Sequence, residues 1–289
     1  MTRLSRREFV ALAAAGAPFT LQQKPGNFAG AVTAQEIIDR IKKRVGVEWK
    51  PDTVDTFKAG DPTVVVKGVI TTAMATMDVL QQAVKAGANL VITYEPTFYA
   101  KADTATPDPV CAAKAEFIGK NNLVVWRFSD HWRLRKPDPL VQGLIDVLGW
   151  SDLKAAGDLT RFSIPSITLD ALAARVKKTL NARGGIRVVG DPQTSVERVA
   201  LLPGATPLQA SLNTLPSVDA IIAGEVREWE TVEYARDTVG AGGKKGLILI
   251  GRVLSEEPGM NLCAQWIRTI VPELTTTWIR VGDPYWRPL

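Results

Sequence analysis

Histidine occurs once in this chain of 289 residues, and cysteine only twice. Cys111 and Cys263 stand far apart, form no C-x-x-C pair and show no metal-ligand spacing, so a disulfide framework and a thiolate metal site are both excluded. Each lies in an apolar helical pattern and reads as a buried free thiol, with one long-range bridge as the alternative. No apolar run reaches the ~20 residues that a membrane-spanning helix needs. There is no glycine-rich phosphate loop and no long basic run. The formal charge is +5, but residues 1–31 hold Arg3, Arg6, Arg7 and Lys24 against Glu8, a net +3, which leaves +2 for the remainder. A nucleic-acid track is therefore not expected, and short clusters such as Arg133-Leu134-Arg135-Lys136 read first as solvated surface.

What is present begins with a leader. Ser5-Arg6-Arg7-Glu8-Phe9-Val10 matches the twin-arginine export pattern, and a mild apolar stretch follows over Val10–Ala17. Ala29-Gly30-Ala31 supplies an A-x-A cleavage site. Residues 1–31 are thus expected to be a signal peptide, with a periplasmic or extracytoplasmic address. That route carries folded proteins, many of them loaded with a metal or cofactor.

Beyond the leader, strands alternate with helices. Thr33-Ala34-Gln35-Glu36 is a capping box before an apolar period through Ile37, Ile38, Ile41 and Val45. Strands are predicted at 64–70, 89–93 and 123–126, with helices at 78–86, 110–120 and 140–148 between and after them. After a break near Ala155-Ala156-Gly157 the pattern resumes. Helices are predicted over 169–180, 228–236 and 259–270, and strands over 186–189, 199–202, 220–223, 247–250 and 276–281. This order predicts an α/β protein with parallel-type sheets flanked by helices, both halves of the chain being α/β.

In such sheets ligands collect at the carboxyl ends of strands. Four of those ends carry polar groups: Tyr94-Glu95, Arg127 to His131, Glu225, and Arg252 to Glu256. His131, alone, reads more readily as a hydrogen-bonded structural residue than as a ligand. The nearby aromatics read as core, while Trp132 and Tyr99 are candidates to line a pocket.

Several blocks, in order over roughly 35–270, carry a resemblance. They are Val66-Lys67-Gly68-Val69, Ala86 to Thr93 leading to Glu95-Pro96, Asp219 to Val226, and Gly251-Arg252-Val253-Leu254-Ser255-Glu256. Together they resemble the interacting-factor-three-like family, also called the GTP cyclohydrolase I type 2 family. The resemblance implies two α/β lobes with mixed, largely parallel sheets flanked by helices and a site between the lobes, the first lobe over 33–150 and completed by 247–289, the second over 151–246. It also implies a dinuclear metal centre and a ring-shaped hexamer. The family pattern has paired histidines where Tyr94 and Glu95 stand. It has a histidine and an aspartate four residues apart where Arg127 and His131 align, and a histidine and a glutamate where Arg252 and Glu256 stand. Only Glu256 is an identity.

Two readings follow. In one, the site is rebuilt around one divalent ion (Zn, Mn or Fe) held by Glu95, His131 and Glu256. Glu225 or Glu228 then acts as general base, and Tyr94, Arg127, Trp132 and Arg252 line the pocket. That points to a metal-assisted hydrolase of a small, unnamed substrate, an anionic one if the 133–136 run faces it. In the other, the metal site is lost and the scaffold serves as a binding or assembly protein. GTP cyclohydrolase activity is not expected in either. A homo-oligomer, by resemblance a hexamer, is expected in both.

Overall fold

The computed structural model describes residues 31–155, 158–286 and 288; the leader lies outside them, apart from Ala31. Helix α1 (Ala34–Arg44) starts as its capping box dictates. The Thr33 hydroxyl accepts the Glu36 N–H at 3.3 Å, and the Glu36 carboxylate accepts the Thr33 N–H at 2.8 Å. Its inward face is fully buried at Ile37, Ile38 and Ile41, each contributing about 1.5–3 kcal/mol of apolar burial.

The first sheet contains β1 (Phe57–Ala59), β2 (Val69–Thr72), β3 (Leu90–Thr93), β4 (Val124–Arg127) and β10 (Thr276–Trp278). Its order is β1-β4-β3-β2-β10, parallel except for the antiparallel edge β1. Helices α2 (Met77–Lys85) and α3 (Pro109–Lys120) connect its strands. The run expected as one strand over 64–70 is split. Val64 and Val66 instead hydrogen-bond to the first residue of α1 and the segment before it, through Ala34 N–H to the Val64 carbonyl and Val66 N–H to the Val32 carbonyl. Only Val69 onward enters the sheet.

A short helix, α4 (Asp130–Leu134), and then α5 (Pro139–Leu148) lead to the second sheet. This holds β5 (Arg161–Thr168), β6 (Arg187–Val189), β7 (Ser195–Ala205), β8 (Ala220–Glu225) and β9 (Gly246–Leu249) in the order β5-β7-β8-β9-β6. Its three central strands are parallel and both edges antiparallel. Edge strand β5 went unread in the sequence because Pro165 interrupts it; an edge tolerates proline, since one row of backbone donors faces solvent there. Helices α6 (Leu169–Leu180), α7 (Leu208–Thr214) and α8 (Glu233–Gly240) pack on this sheet, and α8 is entered through a π-helical turn at Glu228–Val232.

The last helix, α9 (Arg252–Ile270), joins the lobes. Leu254 belongs to the core of the second lobe, whereas Met260, Cys263 and Ile267 belong to that of the first. Expected to begin at Gly259, it starts one residue after Gly251 and runs through Pro258. The boundary between lobes shifts accordingly: β9 belongs to the second sheet, and the chain returns to the first lobe only along α9. Helix α5, assigned above to the first lobe, buries Val141, Leu144 and Ile145 in the second. Both cysteines are buried free thiols. Among the described residues no helix is long and apolar enough to cross a membrane.

Candidate functional site

The carboxyl ends of β3, β8 and β9 meet between the lobes, so residues distant in sequence converge there. Glu95, two residues past β3, is 4% exposed, and its backbone N–H is anchored on the Ala73 carbonyl at 2.8 Å. Its Oε1 accepts from Arg252 Nε at 2.7 Å and lies 2.6 Å from Arg252 Nη2. The same guanidinium lies 3.8 Å from Glu225 Oε2 and 3.6 Å from Glu256 Oε1. Arg252 therefore sits among three carboxyl groups from two sheets and a helix. Burial weakens its charge, but Glu95, Glu256 and Glu225 outweigh that and hold its pKa above the usual value.

Glu256 is buried over a glycine. A Cβ on Gly204 would stand 2.7 Å from Glu256 Oε1, and Gly204 has φ +80°, so both space and backbone demand glycine there. A Cβ on Gly224 would likewise meet the Gly204 carbonyl at 2.4 Å and Ser255 Oγ at 2.6 Å. The Ser255 hydroxyl accepts the Gly204 N–H at 2.9 Å, which seats the first turn of α9 on the two glycines. Neither Glu256 carboxyl oxygen has a hydrogen-bond partner among the described residues. Burial, then the neighbouring Glu95 carboxylate, pushes the Glu256 pKa up to about 9 despite Arg252 and Arg133. The group is neutral at physiological pH, and neutrality lowers the cost of its burial. Tyr94, also buried, is pushed up to about 12, first by burial and then by Glu256.

His131 is elsewhere. It is fully buried and stacks on Trp49, ring centroids 3.7 Å apart. Its Nδ1 lies 2.7 Å from Asp55 Oδ2, and its Nε2 accepts the Lys50 backbone N–H at 2.9 Å. Both ring nitrogens are thus occupied, in a tautomer protonated at Nδ1. Asp55 also accepts the N–H groups of Ser129, Asp130 and His131, so the pair fixes the start of α4. This corrects the expected ligand trio: the structure joins Glu95 to Glu256 and leaves His131 in the core of the first lobe.

The other expected site residues divide as well. Glu225 borders the interlobe cleft. Glu228 pairs on the surface with Arg187 rather than with the central cluster. Arg127 is buried and donates from Nε to the Tyr94 carbonyl at 3.2 Å, so it positions the loop and does not line the pocket. Trp132 packs with Phe128 and Trp266 and belongs to the core. Tyr94 borders a second, shallower hollow with Lys50, Asp130 and Arg133. Gly204 was not singled out from the sequence, and Arg133 was weighed only as part of the 133–136 run. Gly204 carried a readable signal, since an isolated glycine inside a strand marks close backbone approach; Arg133 looked like any other member of a basic run.

A divalent ion, which the resemblance implies, does not fit this donor set. Among the described residues no three of His, Cys, Asp and Glu converge as ligands. Glu95 is already committed to Arg252, which stays protonated and cannot coordinate.

A family model described as Duf34/NIF3 (NGG1p interacting factor 3) matches residues 26–281. A GTP cyclohydrolase 1 type 2 homolog from Clostridium acetobutylicum is 26% identical over 187 residues, covering 61% of this chain and 69% of that one. The fold matches a Staphylococcus aureus hypothetical protein with a TM-score of 0.69 at 14% identity, covering 90% of this chain and 100% of the other. A Bacillus cereus protein related to NIF3 matches with a TM-score of 0.69 at 13% identity and the same coverage. With its two mixed five-stranded sheets and a family match over most of its length, the chain belongs to the Duf34/NIF3 family.

Proposed function

We propose that this protein is a metal-independent binding member of the Duf34/NIF3 family, in which the Arg252 guanidinium takes the place of a metal cation. One observation carries the reading: Arg252 bonds Glu95 and lies within 4 Å of Glu225 and Glu256. A permanently charged, planar donor in that position gives the cleft fixed polarity without a bound ion. The scaffold and the cleft are retained, and binding is what such a site supports. The protein acts outside the cytoplasm, after export through its leader, and as a homo-oligomer; both proposals rest on the sequence and the family.

Metal analysis tests this. Protein purified natively, then equilibrated with zinc, manganese or iron(II) and desalted, should retain no stoichiometric metal, in wild type or in Glu256→Ala. Stoichiometric metal in the wild type that is lost in Glu256→Ala overturns the proposal in favour of the second reading, a metal-assisted hydrolase. The unpartnered Glu256 carboxyl group is the observation on that side.

A further inference from the structure

The cleft bordered by Arg252 and Glu225 is far larger than a side-chain cluster requires. It encloses about 730 Å³, within the range of small-molecule sites. One part of its lining is the segment after β10, which carries Tyr285 and Trp286, 72% and 74% exposed. Both rings present apolar surface to the cleft that an occupant would cover.

These rings do not hang on a loose tail. The Val281 and Gly282 N–H groups donate to Glu257 Oε2, at 3.1 and 3.2 Å, and Arg280 holds the other oxygen of that fully buried carboxylate. Asp283 Oδ2 accepts the Gly184 N–H at 2.8 Å, and Asp283 Oδ1 accepts the Tyr285 N–H at 3.0 Å. Tyr285 packs so closely on Gly184 that a Cβ there would stand 2.2 Å from its own Cβ. The segment is anchored from Arg280 through Tyr285 before any ligand arrives.

The remaining lining discriminates by charge. Its ionisable groups are Arg187 and Arg252 against Glu225 and Asp283, two of each sign. A strongly anionic ligand meets the acids, and a cationic one meets the arginines. A neutral molecule rich in hydroxyls can use both, because a hydroxyl donates to a carboxylate and accepts from a guanidinium. Its apolar C–H faces would lie on the electron-rich faces of the rings.

From the combination of anchored rings, balanced charge and volume we infer that this cleft binds a neutral carbohydrate. Sugar rings stack on Tyr285 and Trp286, and their hydroxyls bond to Arg252 and Glu225. The inference rests on the reading above in that Arg252, rather than a metal ion, supplies the polar end.

Calorimetric titration of the full chain tests it with cellohexaose, maltohexaose and chitohexaose as neutral probes. A heparin hexasaccharide and a chitosan hexasaccharide serve as charged controls. At least one neutral probe should bind saturably and more tightly than either control. Trp286→Ala and Tyr285→Ala should each weaken it about tenfold with an unchanged melting temperature, as expected for truncating an aromatic anchor. Binding by none of the neutral probes, preference for a charged one, or full affinity in the double variant overturns the inference. Repeating the titration in EDTA separates the two proposals. Neutral-sugar binding abolished by chelation sinks the metal-independent reading and leaves the ligand class standing. Absent binding in a protein that also retains no metal sinks the ligand class alone.

Discussion

Glu256 shows what a single side chain contributes at this site. Unfolded, it titrates near 4.5; folded, near 9, because it is buried beside Glu95, with Arg252 and Arg133 only partly offsetting this and Tyr94 adding no charge. Between those pH values the native protein holds a proton that the unfolded chain has released. Its contribution to stability is therefore fully present below about pH 4.5 and is lost as pH rises toward about 9. Glu256→Gln keeps the shape and removes the titration. The variant should show a flatter melting-temperature profile over pH 5–9, and above neutrality it should melt about 2–4 °C higher than wild type, the shift roughly 1 kcal/mol produces in a chain of this size. Parallel profiles for the two proteins would contradict this assignment. What sequence made legible is the meeting place: Glu95, Glu225, Arg252 and Glu256 each follow a predicted strand, and the strand ends bring them together. His131 also follows a strand, but its partner Asp55 lies 76 residues earlier in a segment with no pattern of its own. No local signal marks such a pairing.

Among the elements, α5 and α9 cross at close range. A Cβ on Gly143 would come within 2.5 Å of both Gly259 N and the Pro258 carbonyl carbon, and a Cβ on Gly259 would meet Leu140 at 2.7 Å. The obstacle is backbone, which cannot swing aside as a side chain can. Gly143→Ala should cost about 1–3 kcal/mol by overpacking, read as a lower urea midpoint with unchanged slope. An unchanged midpoint would mean that the helices separate freely, and the view of α9 as a rigid link would fail. Sequence periodicity found both helices but placed the start of α9 seven residues late. Pro258 is the reason: proline inside a helix removes one N–H donor and usually marks a boundary. Here the turn before it is held by the Gly204 and Gly224 contacts, which pattern reading cannot see. Regular helices elsewhere, such as α6 with its Thr168 cap accepting the Ala171 N–H, were found at their observed bounds.

For the whole molecule, the alternation of strands and helices was sufficient to predict an α/β protein, while the two lobes were implied by the resemblance that the ordered motifs carry. What alternation could not reveal is that the lobes share helices, because a crossing depends on long-range packing. The address proposed from the leader is tested by cell fractionation: wild type should be recovered from the periplasm as an oligomer by light scattering, while Arg6→Lys/Arg7→Lys should accumulate in the cytoplasm. Equal distribution of the two forms would refute export by that route.

Strand β10 has a consequence for how the protein is made. Among the described strands it is the last to leave the ribosome, yet it pairs in parallel with β2, Thr276 opposite Val69, more than two hundred residues upstream. Until Trp278 has emerged, the edge of β2 that β10 covers is bare. The strands of the second sheet are all made before β10, so the second lobe can assemble while the first still waits for its edge strand. Nascent chains released before that point would carry an open, apolar sheet edge, the form most prone to aggregate.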